Sequence, residues 1–353
     1  MNDNIKMKKN PLSLQLNADD FLPANEAEKL EMVIMRESVT YWKDAFSRFG
    51  KNKLAMAALV VIILVLIFAF ILPKVYPYTY EQQTRGSENL FPLQYSQTEI
   101  QIKADGGNVF PHILGTDNLG RDLMIRIMMG SRISLMVGLI ASAIILLIGA
   151  IYGAVSGYFG GNLDMVMMRI VDVIYTVPDI LVIILLSVVL KAPLNLLFEK
   201  QTIFSGMSSV GPGLISIFIT FSLLYWVGMA RLVRGQVLII KEQEYITAAK
   251  ALGANDSRII MKHLIPNCIG TIVVTTTLFI PSAIFTESFL SFLGLGVAAP
   301  MPSLGSLAAD AIGGINSYAY RLVAPSVAIS IIILSFNLFG DGLRDALDPK
   351  LKR

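Results

Sequence analysis

The chain has 353 residues, of which 54% are hydrophobic and 16% charged, with a formal net charge of +3. Soluble domains carry about 25% charged residues, so this composition argues against a globule surrounded by water, and so small a basic excess is a poor sign of nucleic-acid binding. The single cysteine, Cys268, excludes an internal disulfide and any multi-cysteine metal site, and two histidines, His112 and His263, make a histidine metal centre a poor reading.

Residues 1–30 are polar and lack periodicity, which predicts a disordered cytoplasmic tail. Over 31–53 the apolar residues Met35, Val39, Trp42, Phe46 and Phe49 recur at steps of four, three, four and three. Arg36, Glu37, Lys43, Asp44, Ser47 and Arg48 fill the opposite face, so the stretch predicts an amphipathic helix along the inner leaflet, anchored by Trp42. Leu54–Pro73 are 20 uncharged residues, which at about 1.5 Å each span about 30 Å, one hydrocarbon thickness. No small-residue cleavage site follows, so 54–73 is read as a retained first transmembrane helix. Residues 74–130 form an extracytoplasmic segment ending near Gly115–Asp122, where Thr116 or Asp117 is expected to cap a helix. Leu123–Met129 is expected at the outer interface.

Residues 131–343 hold five further spans. Four come from the uncharged windows Ile133–Leu163, Gln201–Ala230, His263–Thr286 and Leu322–Gly340, and the fifth from Met165–Leu190, which Arg169, Asp172 and Asp179 interrupt. Gly138, Ala141, Gly149, Ala150, Gly153, Ala154 and Gly157 suit close helix packing in lipid. Arg169 and Asp172, three residues apart, share a helix face near the cytoplasmic end, where Arg169 is read as pairing structurally with Asp172 or Asp164. Pro178 is expected to kink that helix, leaving Asp179 as the one acidic group near mid-span. Ser288–Ala309 is uncharged too, but its glycines and prolines predict a loop or re-entrant segment in its latter part.

Six spans place both termini, including the tail 344–353, on one side. With that side inside, the inner stretches hold nineteen Lys and Arg and the outer ones nine, in accord with the positive-inside rule. The fold class is therefore an all-α integral membrane protein with six transmembrane helices.

The one substantial cytoplasmic loop after the tail is 231–266. Glu244–Leu252 is helix-forming, Gly253 supplies a stop, and Asn255 or Asp256 can cap a second helix running through Ile259 and Ile260 to Pro266. Tyr245, Ala248, Ala249 and Leu252 lie at i, i+3, i+4 and i+7, an apolar face with a small-residue centre suited to a groove on another protein.

The run Ala248, Ala249, Gly253, then His263–Pro266, resembles the "EAA" coupling loop of importer-type ABC permeases. The stretches His112–Asp122, Arg169–Pro178, Thr286–Val297 and Asn337–Pro349 are similar to the C-type permease subunit of oligopeptide and dipeptide importers, a group that includes nickel permeases. The likeness runs from about Tyr41 to Pro349. Thr247 stands where the family has the glutamate that names the loop, leaving Glu244 as the nearest carboxylate for a salt bridge there, and Ile265 stands for the usual leucine. The resemblance implies a type I ABC importer permease fold in a bacterial inner membrane. It also implies a homologous B-type permease subunit as partner, two ABC ATPase subunits below and an extracytoplasmic peptide-binding protein. ATP and magnesium would sit on the partner subunits, with no cofactor on this chain. The coupling residues it implies are Glu244, Tyr245, Thr247, Ala248, Ala249, Leu252, Gly253 and Pro266.

No phosphate loop is present, since Gly50-Lys51 is followed by Asn52 and preceded at the required offset by Ala45. Gly294, Gly296 and Ala299 imitate a dinucleotide fingerprint but end a membrane span, and no catalytic arrangement is evident, so the chain reads as non-enzymatic. The competing class is an ion-gradient-driven transporter, for which Asp179 and Glu287 are the available coupling carboxylates. That class leaves the cytoplasmic knob unexplained.

Overall fold

The computed structural model describes residues 41–199, 212–297 and 299–347. The expected tail 1–30, the positions Met35 and Val39, the start of the expected fourth span and residues 348–353 lie outside the described residues.

Helix α1 (Tyr41–Lys51) is the described part of the expected amphipathic helix. Within it Phe46 is exposed, whereas Ala45 packs with Val274 and Leu347, and Phe49 packs with Ala55, Ala346 and the Phe339 ring. Asn52 then caps α2 (Lys53–Phe70), its Oδ1 accepting from the amides of Leu54 and Ala55 at 3.1 and 3.2 Å. After α3 (Gln97–Ala104) comes α4 (Leu123–Phe159), whose 37 residues make it about 55 Å long, well beyond one bilayer. Leu123–Met129 thus form the first turns of this helix and are mostly buried. The cap is Asp122, which accepts from the Ile125 amide at 3.0 Å, and neither Thr116 nor Asp117. Thr116 instead accepts from the Leu90 amide, and Asp117 is taken by two arginines.

The third span departs most from expectation. Pro178 has no amide hydrogen and disfavours helix in the residue before it, and the chain breaks there completely. Helix α5 (Gly161–Thr176) carries the charges, and α6 (Asp179–Glu199) is the apolar helix long enough to cross. Asp179 consequently begins a helix and does not sit in mid-span. The expected Arg169–Asp172 pair is also corrected: Asp172 bonds Arg231, a residue of another helix, at 2.7 Å. Spacing along one helix permits a pair but cannot reveal a competing cation on a neighbour.

Helices α7 (Pro212–Leu224) and α8 (Trp226–Ile240) run on as the fourth span, so the expected loop 231–266 begins on a helix. Counting uncharged residues ends a span at its first charge, whereas Arg231 and Arg234 are carried at the end of α8 by carboxylates of α5. Helix α9 (Glu244–Ala251) and the helical stretch 256–267 follow, then α10 (Ile269–Phe292), α11 (Leu304–Ile312) and α12 (Tyr320–Leu347). Among the described residues, six helices are long and apolar enough to cross a membrane, and the fold is all-helical. The re-entrant expectation for 288–309 corresponds to a loop after Phe292 and the short, capped α11.

Helix α4 is central, packing along α8 and α10 and against α2 and α7. The small residues decide this. A Cβ at Gly153 would strike the Ala230 carbonyl, and one at Gly138 would meet the Ile284 side chain, so α4 and its neighbours approach closely only because these positions are glycine. By contrast only 11% of the apolar window of α6 is buried within the chain, which leaves that helix peripheral.

Candidate functional site

The knob is built on α9. Its C-terminus closes as a Schellman motif: Gly253 lies at φ +80°, its amide donates to Lys250 O at 2.9 Å, and the Ala254 amide donates to Ala249 O at 3.1 Å. A β-carbon at that φ would be strained, which is why the stop is glycine. Asn255 then caps the next turn, accepting from the Arg258 amide at 2.9 Å. The stretch continues as Asp256–Arg258, a π-helical run Ile259–Leu264 and a last turn Ile265–Asn267.

One side of this knob is a hydrophobic root. Ile246, Ile259 and Leu264 are fully buried with Ala154, Val233, Val237, Cys268 and Ile272, which joins the knob to α4, α8 and α10. Burial of a side chain the size of Ile246 contributes about 1.5–3 kcal/mol. Burial also pushes the Cys268 thiol up to about 11, so it packs here as a small neutral group. Polar contacts lock the same junction. The Tyr158 hydroxyl donates to Asp256 Oδ1 at 2.5 Å, the Lys250 ammonium lies 4.9 Å from the Tyr158 ring centre, and Lys241 Nζ donates to Gly157 O at 3.1 Å.

The other side is open. Tyr245 is 45% exposed and Leu252 89%, with Glu244, Thr247, Ala248, Gly253 and Pro266 exposed and Ala249 half-buried. The structure therefore brings Tyr245, Ala248, Ala249 and Leu252 onto one side of α9 that the described residues leave mostly uncovered, and separates them from Ile246, which is buried. No ion pair forms at Glu244 among the described residues.

Sequence reasoning missed the clamp and the root. Ile246 sits off the exposed face of α9 and, with Ile259, Ile260 and Leu264, was the available signal for a second apolar side. Tyr158 carries no local signal, because its partner is 98 residues away. Behind the knob, Asp164 receives both Arg234 Nε at 2.6 Å and Nη2 at 2.5 Å, and the Ser156 hydroxyl at 2.5 Å. The Arg234 hydrogen bonds hold the Asp164 carboxyl below its usual range against the opposing effect of burial. Asp172 with Arg231, whose guanidinium also lies 4.2 Å from the Tyr175 ring centre, makes a second tie between α5 and α8. The arrangement is an exposed apolar rim on a knob packed against the ends of α4, α8 and α10.

At the opposite end of α4 the segment 75–122 folds against the helix starts. Tyr320 Oη donates to Leu90 O at 2.7 Å and lies 3.0 Å from Thr116 O, and Arg321 Nη1 donates to Asn89 Oδ1 at 2.8 Å. His112 is buried between two carboxylates, with Nδ1 2.8 Å from Asp122 and Nε2 3.0 Å from Glu99, and the Tyr78 ring stacks on it at 4.5 Å. Burial opposes charge on this imidazole, but the hydrogen bonds and charges of Asp122 and Glu99 outweigh it, and its pKa is raised.

The family model described as "Binding-protein-dependent transport system inner membrane component" matches residues 147–353, and the one described as "N-terminal TM domain of oligopeptide transport permease C" matches residues 40–92. The oligopeptide transport system permease protein of Bacillus subtilis (strain 168) is 43% identical over 330 residues, covering 94% of this chain and 95% of that protein. The dipeptide transport system permease protein of the same organism is 44% identical over 337 residues, 95% of this chain and 94% of that one. The oligopeptide transport system permease protein of Escherichia coli (strain K12) is 36% identical, covering 92% and 95%.

Proposed function

This chain belongs to the binding-protein-dependent transport system inner membrane components, in their oligopeptide and dipeptide branch, and from that premise we propose how it works in its assembly. It is a membrane permease for peptides. With a homologous B-type permease subunit it forms the path for cargo delivered by an extracytoplasmic peptide-binding protein. Two ABC ATPase subunits dock underneath and carry the ATP and magnesium, while this chain is non-catalytic. Both termini and the knob face the cytoplasm, a placement supported by the nineteen Lys and Arg on that side against nine outside.

The observation that carries the reading is the division within Glu244–Pro266. Ile246 is fully buried in this chain's own core, whereas Leu252, six residues on, is 89% exposed beside Tyr245 and Ala248. An exposed apolar rim on a fastened base fits a groove on a partner. Closure of the ATPases on ATP pushes that rim. The push passes through Ile246, Ile259 and Leu264 and through Tyr158–Asp256 into α4, α8 and α10, tilting them so the path opens alternately to each side. The ion-gradient reading loses its carboxylates: Asp179 begins a helix, and Glu287 is fully enclosed, taking hydroxyls of Ser134 and Ser291 at 2.7 Å each.

Reconstitution with the partner permease, both ATPases and the binding protein tests the proposal. Peptide-loaded binding protein is expected to stimulate ATP hydrolysis and uptake, and nickel-loaded protein is not, since the relatives are named for peptides. Uptake that persists without ATP but with an ion gradient overturns it.

A further inference from the structure

A cavity of about 390 Å³ lies at the outer end of the helices, bounded by the start of α4, the end of α10 and α11, with Arg121, Arg126, Ser291, Ser306, Ala309 and Asp310 among its lining residues. Its two arginines are buried, at 8% and 4% exposure. Both bond Asp117: Arg121 Nε at 2.7 Å, and Arg126 through Nη1. Asp117 also accepts the amides of Leu119 at 2.8 Å and Arg121 at 3.0 Å, so its two oxygens already hold four donors. Asp117 thus has nothing left for the rest of the Arg126 guanidinium.

What remains is the edge formed by Nε and Nη2. Among the described residues Nε is buried without a hydrogen-bond partner, and the nearest carboxylate to Nη2 is Asp310 at 3.8 Å, beyond hydrogen-bond distance, on a side chain that is half exposed. A buried cation with donors unsatisfied is costly unless something pairs with it. Two parallel N–H groups on one guanidinium edge match the two oxygens of a carboxylate.

We propose that this cavity takes the free terminal carboxylate of a peptide cargo on the Nε–Nη2 edge of Arg126, with Asp310 moving out to solvent as the cargo enters. The proposal rests on the peptide-permease reading above and adds an entry site within this chain. A carboxylate is the chemistry recognised, and the same group on an acidic side chain of the docked binding protein is the competing source.

The test uses the complete importer in proteoliposomes, with trialanine and its C-terminal amide as cargo, each at saturating loaded binding protein. A charge-assisted hydrogen bond separates the two cargoes, so wild-type uptake of the free acid is expected to exceed that of the amide about tenfold. Arg126→Lys keeps the charge toward Asp117 but loses the edge, and Ala309→Phe narrows the cavity while leaving both arginines in the sequence. Both are expected to bring the ratio close to one. A ratio unchanged in both variants overturns the proposal. So does a parallel fall for both cargoes with loss of binding-protein-stimulated ATP hydrolysis, which assigns the cavity to protein docking. If the wild type moves neither cargo while ATP hydrolysis responds normally, the peptide reading itself fails, separately from this site.

Discussion

The Tyr158 hydroxyl and the Asp256 carboxylate meet at 2.5 Å, 98 residues apart in sequence, and join the C-terminal end of α4 to the knob after α9. Helix α4 reaches from the cavity at Arg126 to this contact, so one element links the two sites.

Tyr158→Phe keeps the ring that lies under Lys250 and removes only the hydroxyl. A hydrogen bond to a charged group contributes about 1.5–3 kcal/mol, less where solvent reaches it. Hydrogen exchange is expected to speed up selectively over residues 254–264, and peptide uptake per ATP hydrolysed is expected to fall severalfold. Unchanged exchange there means that the apolar root alone holds the knob.

Gly253→Val places a β-branched residue at φ +80°. The strain is about 1–2 kcal/mol or more, enough to unwind the Schellman closure and re-aim Leu252. Binding-protein-stimulated ATP hydrolysis is expected to separate from uptake while the subunits still co-purify. Uptake at the wild-type level removes the coupling role from this turn.

Ile246→Ala and Leu252→Asp form a contrasting pair on one short helix. The first empties a fully buried site and costs about 2–5 kcal/mol, so the purified complex is expected to melt earlier. The second alters a side chain that is 89% exposed and leaves melting nearly unchanged, but is expected to abolish co-purification of the ATPases. Reversal of these two results places the docking face on the other side of α9.

His112 supplies a pH signature. Its pKa is raised despite burial because Asp122 and Glu99 accept from both ring nitrogens. A raised value means that its stabilisation is complete below the ordinary value of about 6.5 and is lost as pH rises through the folded-state value. Melting temperatures of wild type and His112→Gln are therefore expected to differ most near about pH 6 and to converge in alkaline buffer. A gap that widens with pH rejects the charged imidazole.

Much of the molecule was legible because lipid imposes a simple rule on sequence. Leu54–Pro73 read as a span from length alone, and α2 ends within a few residues of it. Glu244–Leu252 with Gly253 read as helix and stop because both signals are local, and α9 ends where they predict. The failures share one cause. Asp172 was assigned to Arg169, the cation nearest along its helix, but bonds Arg231 across a packing contact. Thr116 and Asp117 looked like caps, yet Asp122, closer to the helix, took that role and left Asp117 to Arg121 and Arg126.

The sequence by itself determined that six helices are long and apolar enough to cross a membrane, where the basic residues gather after the first of them, and which face of α9 is apolar and small, since each follows from periodicity and charge within a few turns. Only the tertiary structure decided which side of α9 is rooted and which is exposed, which arginine answers each carboxylate, and that Arg126 Nε is buried beside a cavity with no hydrogen-bond partner among the described residues. Those outcomes depend on side chains from distant helices competing for the same partner, and a short stretch of sequence does not say who the competitors are.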